Sequence, residues 1–203
     1  MVSPVLTYLD IPEFQEVIRA VRRCGSRASD TCGCHIHVSG EHFTGRTLAN
    51  LVKMFFKYQN LIIPALGVRP DRLARYAKPI DPDLIRRIEQ RPPKTLDDMS
   101  TLWFGTYTPH PDHYHPSRYC ALNLASLFQR STIEVRAANS SLHAGKIRAY
   151  IVFVLALAAK ALNSRWTSSR PREFDPASAR YDFRVFAVIG LKLIGPEYRS
   201  CRR

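Results

Sequence analysis

The stretch DTCGCHIHVSGEHF, Asp30 to Phe43, sets two histidines one residue apart inside an apolar run. Cys34, Ile36 and Val38 alternate there with His35, His37 and Ser39. Alternation of period two marks a strand buried on one side. Successive strand side chains point to opposite faces. His35 and His37 therefore share one face, and Cys32, Cys34, Ile36 and Val38 share the other. The second is a core face. The first carries nitrogens able to hold a metal or a phosphate. The expected strand runs over residues 33–39.

A second stretch, STIEVRAA from Ser131 to Ala138, has the same form. Ile133 and Val135 point one way, Glu134 and Arg136 the other. Read alone, Glu134 and Arg136 are a surface ion pair of little energetic value. Read with the first strand, they extend a polar wall of His35, His37, Glu134 and Arg136. Imidazole and carboxylate donors suit Mg²⁺ or Mn²⁺ with a nucleotide. The permanently charged fork of arginine suits phosphate or carboxylate. Together these groups fit phosphoryl transfer, where catalysis is mostly positioning and charge neutralisation.

Outward from these strands the chain reads as helices and short connections. An amphipathic helix is expected over Pro12–Arg23, with Phe14, Val17, Ile18 and Val21 on one face and Gly25 beyond its end. A long helix spans Thr47–Leu66. Two short helices follow, one with Asp81 or Asp83 near its start and one capped by Thr95 three residues before Asp98. A loop rich in Pro, His and Tyr, including His110, His113 and His115, leads into a strand over Arg118–Leu124. LFQRS makes a hairpin-like connection to the Glu134 strand. Ser140 or Ser141 caps a helix from Leu142 to about Ser164. His143 and Lys146 sit in its first turn and decorate it. The pattern is α+β, a mainly antiparallel sheet with long helices packed on one face. Residues 1–164 form the catalytic domain; residues 165–203 are a polar linker and a helical element punctuated by Gly190 and Gly195.

Composition narrows the function. The 203 residues hold 30 Lys+Arg against 17 Asp+Glu, a net charge of +13. Such a surface attracts polyanions, but the charge is scattered and no nucleic-acid-binding motif accompanies it. A basic module for nucleic acid or another polyanion is thus the alternative rather than the leading reading. The cysteines, Cys24, Cys32, Cys34, Cys120 and Cys201, are odd in number and irregularly spaced, and no signal peptide precedes them. A reduced, cytoplasmic protein is expected. Zinc at Cys32, Cys34, His35 and His37 would need ligands that converge, whereas thiols and imidazoles leave a strand in opposite directions. AYIVFVLALAA, Ala149 to Ala159, is about half the length needed to cross a bilayer and reads as a core helix, so no membrane partner is expected.

The stretches SPVL, CGCHIHV, TLANLVKM, RYCALNL, STIEVRAANSSLHAGKIRAYI and YDFRVF run in order along almost the whole chain. GCHIHVS resembles the G-x-H-x-H-x-S strand of glutamine synthetase-type ligases, and TIEVR resembles the E-x-R strand of the same fold. The set as a whole resembles the amidoligase family, which shares that fold. The resemblance implies an ATP-dependent carboxylate–amine ligase that phosphorylates a carboxylate and lets an amine, from an amino acid or peptide, displace phosphate. Its implied cofactors are ATP and Mg²⁺ or Mn²⁺. It implies His35 and Glu134 as metal ligands, His37 near the transferred phosphate, Arg136 and Arg118 on phosphate or substrate carboxylate, and Asn123 shaping the pocket. Members of the fold carry further metal-binding glutamates on a strand ahead of the SPVL region. The chain opens at Met1-Val2-Ser3-Pro4, so the resemblance implies an N-terminally truncated ligase fold. A catalytically dead remnant is then the alternative to an active ligase, and the incomplete sheet edge favours an oligomer.

Overall fold

The fold is taken from a computed structural model that describes residues 1–175 and 177–193. Three strands, β1 (Ile36–Ser39), β2 (Leu122–Asn123) and β3 (Thr132–Val135), form an antiparallel sheet in the order β1-β3-β2. The register sets His37 opposite Glu134, and Glu134 opposite Asn123. The α+β expectation holds, with strands shorter than the alternation suggests.

The apolar face of the sheet packs on helices. Ile133, Val135 and Leu122 are buried in one cluster with Leu48 and Phe55 of α2 (Gly45–Ala65) and Phe153 and Leu157 of α7 (Ala144–Asn163). Ile36 and Val38 lie partly buried against it. α1 (Ile11–Arg23) begins one residue earlier than its Pro12 suggests. It buries Ile11, Gln15 and Ile18 and leaves Val17 exposed, so its inward face is narrower than the run of apolar residues. Ile18 meets Ala144 and Ile147 of α7, with Phe14 and Cys34 alongside. The thiol of Cys34 therefore faces the helices, away from the imidazoles, and burial pushes it up to about 11 against the opposing pull of Arg72. Cysteine and histidine do not converge for zinc.

α3 (Pro70–Arg75), α4 (Pro82–Gln90) and α5 (Leu96–Phe104) follow α2. Asp81 caps α4 by accepting from Asp83 N at 2.9 Å. At α5, Asp98 N donates to Thr95 Oγ1 at 3.1 Å, and the Asp98 carboxylate accepts from Thr95 N at 3.0 Å. Gly105, at φ 82°, closes the helix in the left-handed conformation that glycine adopts without a Cβ clash. Thr95→Ala removes one half of this reciprocal cap. We expect a loss of about 1 kcal/mol, read as a lower urea midpoint at unchanged m value.

Three expectations are corrected. Arg118–Leu124 is not one strand: Pro116–Tyr119 is a 3₁₀ turn, and only Leu122–Asn123 pairs with β3. Pro116 fixes its own φ and Ser117 N donates to His115 Nδ1 at 3.2 Å, which winds the chain before the strand begins. LFQRS is not a hairpin loop but part of α6 (Ala125–Arg130), which ends at Ser131 in the left-handed region, φ 55°. The cap of α7 is His143, whose Nδ1 accepts from Lys146 N at 3.1 Å. Ser140 and Ser141 are engaged elsewhere, Ser140 Oγ donating to the Ser29 carbonyl and Ser141 Oγ accepting from His143 N.

Beyond α7 the chain runs as coil to α8 (Ala179–Val185), followed by a single π turn over Phe186–Gly190. Phe186 is buried and stacks on Tyr58 of α2 with ring centroids 4.0 Å apart. The expected punctuation at Gly195 and the thiol of Cys201 lie outside the described residues. Among the described residues, no helix is long and apolar enough to cross a membrane.

Candidate active site

β1 and β3 deliver the polar wall as a row across the sheet. Residues directly opposite in an antiparallel pair share a face, so the register brings His37, Glu134 and Asn123 side by side. His35, two residues from His37, joins them. His35 Nδ1 is 2.8 Å and His37 Nε2 3.5 Å from Glu134 Oε1. Asn123 Nδ2 donates to Glu134 Oε2 at 2.6 Å, its orientation fixed because Asn123 Oδ1 accepts from Ala125 N at 2.9 Å. Arg136 Nη1 stands 3.6 Å from the same Oε2.

Burial is graded across the row. Glu134, Arg136 and Asn123 are buried, whereas the side chains of His35 and His37 keep 35% and 36% of their surface open. The histidines are thus the groups that an incoming ligand meets first, and the carboxylate beneath orients them. Burial alone would raise the Glu134 carboxyl. Hydrogen bonds from His35, His37 and Asn123, with the Arg136 charge, more than offset that and hold it well below its usual 4.5. The folded state keeps this carboxylate ionised where the unfolded chain protonates it. The stability it contributes is whole above about pH 4.5 and is lost as the pH falls below that value. We expect the thermal midpoint of the wild type to fall more steeply between about pH 4.5 and pH 3 than that of Glu134→Gln, a difference that scanning calorimetry reads directly.

Around the row the chain adds cations. Arg136 Nη1 donates to the Arg118 carbonyl at 2.9 Å, and the guanidinium groups of Arg136 and Arg118 both lie against the Tyr119 ring, at 5.5 and 5.7 Å from its centroid. Arg118 Nη1 also donates to the His113 carbonyl at 2.8 Å, which ties it to the loop. Of the loop histidines, His115 serves the 3₁₀ turn and packs edge-on against Phe104. All six residues singled out from the sequence, His35, His37, Asn123, Arg118, Glu134 and Arg136, are brought together.

Sequence reasoning missed four others. Thr132 Oγ1 is 2.9 Å from His37 Nδ1 and Ser126 Oγ is 2.9 Å from Thr132 Oγ1, so hydroxyls support the far side of the ring. Thr132 sits two residues before Glu134 on the same strand face, a signal available in the alternation. Ser126 was hidden by the reading of its helix as a hairpin. Tyr119 and Arg72 carry no local signal. Arg72 is buried, and its Nη2 lies 3.1 Å from His35 Nε2.

The donor set does not make a magnesium site by itself. Among the described residues, no three His, Cys, Asp or Glu side chains are grouped to hold a metal. Glu134 is the one carboxylate in the row, with four donors around its oxygens, and His35 Nε2 faces Arg72. Magnesium asks for about six oxygen-rich positions in near-octahedral array.

A family model described as "putative amidoligase enzyme" matches residues 1–158. The chain belongs to the amidoligase family. The matched span holds all three strands, every residue of the row and most of α7. No curated protein and no solved structure matches the chain. A groove of about 500 Å³, lined by Phe56, Ile85, Arg86, Glu89 and Trp166 among others, shares no residue with the polar row.

Proposed function

We infer that this amidoligase joins a carboxylate to an amine using ATP, in a glutamine synthetase-like fold, at the His35–His37–Glu134–Arg136 row. One observation carries the inference. The side chains implied by the family's two motif strands meet on one polar face, in a chain that matches the family across that whole region.

In this reaction a carboxylate oxygen attacks the γ-phosphorus of ATP and ADP departs. An amine then attacks the acyl carbon, phosphate leaves, and the amine nitrogen gives up a proton. Carboxylate, amine and ATP become amide, ADP and phosphate. Charge sits on phosphoryl and carboxylate oxygens through most of that course, so fixed cations supply the main catalytic term. Arg136 is held in place by Glu134 and the Arg118 carbonyl, and Arg118 stands beside it on Tyr119. These two guanidiniums are suited to phosphate or substrate carboxylate. His37, open to solvent and braced by Thr132, is suited to the transferred phosphoryl group. Glu134 acts as an ionised anchor, held as a carboxylate by the donors around its two oxygens.

The test incubates the full chain with ATP, Mg²⁺ and pools of amino acids, with hydroxylamine as a small amine that traps acyl phosphates as hydroxamates. We expect phosphate release that requires a carboxylate, together with hydroxamate formation. Glu134→Gln should lower both by about a hundredfold or more, since it removes the anchor of the cationic row. Undiminished release in Glu134→Gln would remove the assignment.

A further inference from the structure

Arg72 stands outside the two motif strands, yet it reaches both. Its Nη2 donates to the Arg136 carbonyl at 2.8 Å on β3's side and lies 3.1 Å from His35 Nε2 on β1's side. A guanidinium has no lone pair to offer, so His35 Nε2 is the acceptor in that contact. His35 then carries its proton on Nδ1, 2.8 Å from Glu134 Oε1, which is the donor that a carboxylate requires. One arginine therefore decides which nitrogen of His35 is protonated and which way the ring faces.

Gly33 makes room for it. A Cβ at that position would lie 1.8 Å from Arg72 Nη2 and 2.2 Å from Arg72 Cζ. The glycine is not needed for backbone conformation, because its φ is outside the left-handed region occupied by Gly25, Gly67 and Gly105. Its backbone is pinned by a bridge to Asn139. The missing side chain is thus a slot beside β1, and the guanidinium fills it. Arg72 is only 4% exposed, and its Nε has no hydrogen-bond partner among the described residues. A buried cation held this way is costly for the fold, so its geometry is fixed by the slot and the two acceptors rather than by a general fit.

We propose that Arg72, seated in the slot left by Gly33, is a positioning residue of the active site that locks His35 as its Nδ1–H tautomer against Glu134 and ties α3 to the polar row. The proposal rests on the reading of this row as the catalytic centre. It adds a residue to that centre and gives the glycine that opens the G-x-H-x-H stretch a reason that is spatial, not conformational.

The experiment uses the ¹⁵N-labelled full chain and measures the nitrogen–nitrogen coupling transmitted through an N–H···N hydrogen bond, between Arg72 Nη2 and His35 Nε2. Arg72→Met and His35→Gln assign the signals. The wild type should show the coupling. Gly33→Ala should lose it although Arg72 is still present, because the methyl group displaces the guanidinium. The same variant should keep its far-UV circular dichroism and lose about ten- to a hundredfold in kcat for ATP-dependent phosphate release, with KM nearly unchanged, as expected when a group is misplaced by about 1 Å. Arg72→Lys, which keeps the charge without the fork, should not restore the rate. A wild type without the coupling overturns the proposal, and so does a Gly33→Ala variant with wild-type coupling and kcat. A wild type that shows the coupling but never turns over ATP upholds the Arg72–His35 contact and removes the ligase reading instead, so the two failures are distinct.

Discussion

Glu134→Ala is expected to cost about 3–5 kcal/mol of stability, the range for leaving a buried charge without its partner, and to abolish turnover. Arg136 is buried, and burial together with the neighbouring Arg118 charge already opposes its ionisation. Glu134 is the nearby anion that favours it. Without the carboxylate, Arg136 keeps the Arg118 carbonyl but loses its counter-charge, the Asn123 amide loses its acceptor, and His35 and His37 lose the oxygen that orients them. Glu134→Gln preserves the shape and an acceptor oxygen, so its stability loss should be smaller while its activity loss stays large. Urea unfolding of the two variants, set against phosphate release, separates the structural share of this residue from the catalytic one. A loss below about 1 kcal/mol for Glu134→Ala would mean that water reaches Arg136, contrary to its burial.

Phe153→Ala should cost a similar amount, about 3–5 kcal/mol, by removing a buried ring and leaving a cavity. Phe153 is 2% exposed and lies in the middle of α7, between the sheet and the C-terminal helix. Its ring centroid is 5.4 Å from that of Phe183 and 6.4 Å from that of Phe186. The loss therefore reaches beyond α7. Phe186, stacked on Tyr58, is left without one wall of its pocket, and α8 should become more readily cleaved by a protease than in the wild type. Limited proteolysis with the urea midpoint measured in parallel checks both parts.

The parts of the molecule legible in the sequence are those that depend on neighbours within a few residues. The alternation around His35 and around Glu134 gives two strands and assigns the correct side chains to the polar face, because period two is a local property of the backbone. Thr95 with Asp98 marks the start of α5 for the same reason. The register that sets His37 opposite Glu134 is not local, and nothing in either stretch specifies it. α6 was misread because its start is set by a side chain: Asn123, at the end of β2, accepts from Ala125 N and begins a helical turn where the run LFQRS suggests a hairpin. Arg72 was invisible among scattered arginines, since its partner at Gly33 is an absence of atoms some forty positions away along the chain. The family resemblance pointed to β1 and β3, which pair in the sheet, and not to Arg72, which touches both sides of that pair.

The cap of α7 has a consequence of its own. Most helices begin on an oxygen, that of a hydroxyl, a carboxylate or a carboxamide. Here the acceptor is the Nδ1 lone pair of His143, donated to by Lys146 N, so the ring carries its proton on Nε2. The first turn of α7 is thus fastened by a ring that spends one nitrogen on the helix and keeps the other as a donor, where an asparagine would offer an oxygen and an amide group instead.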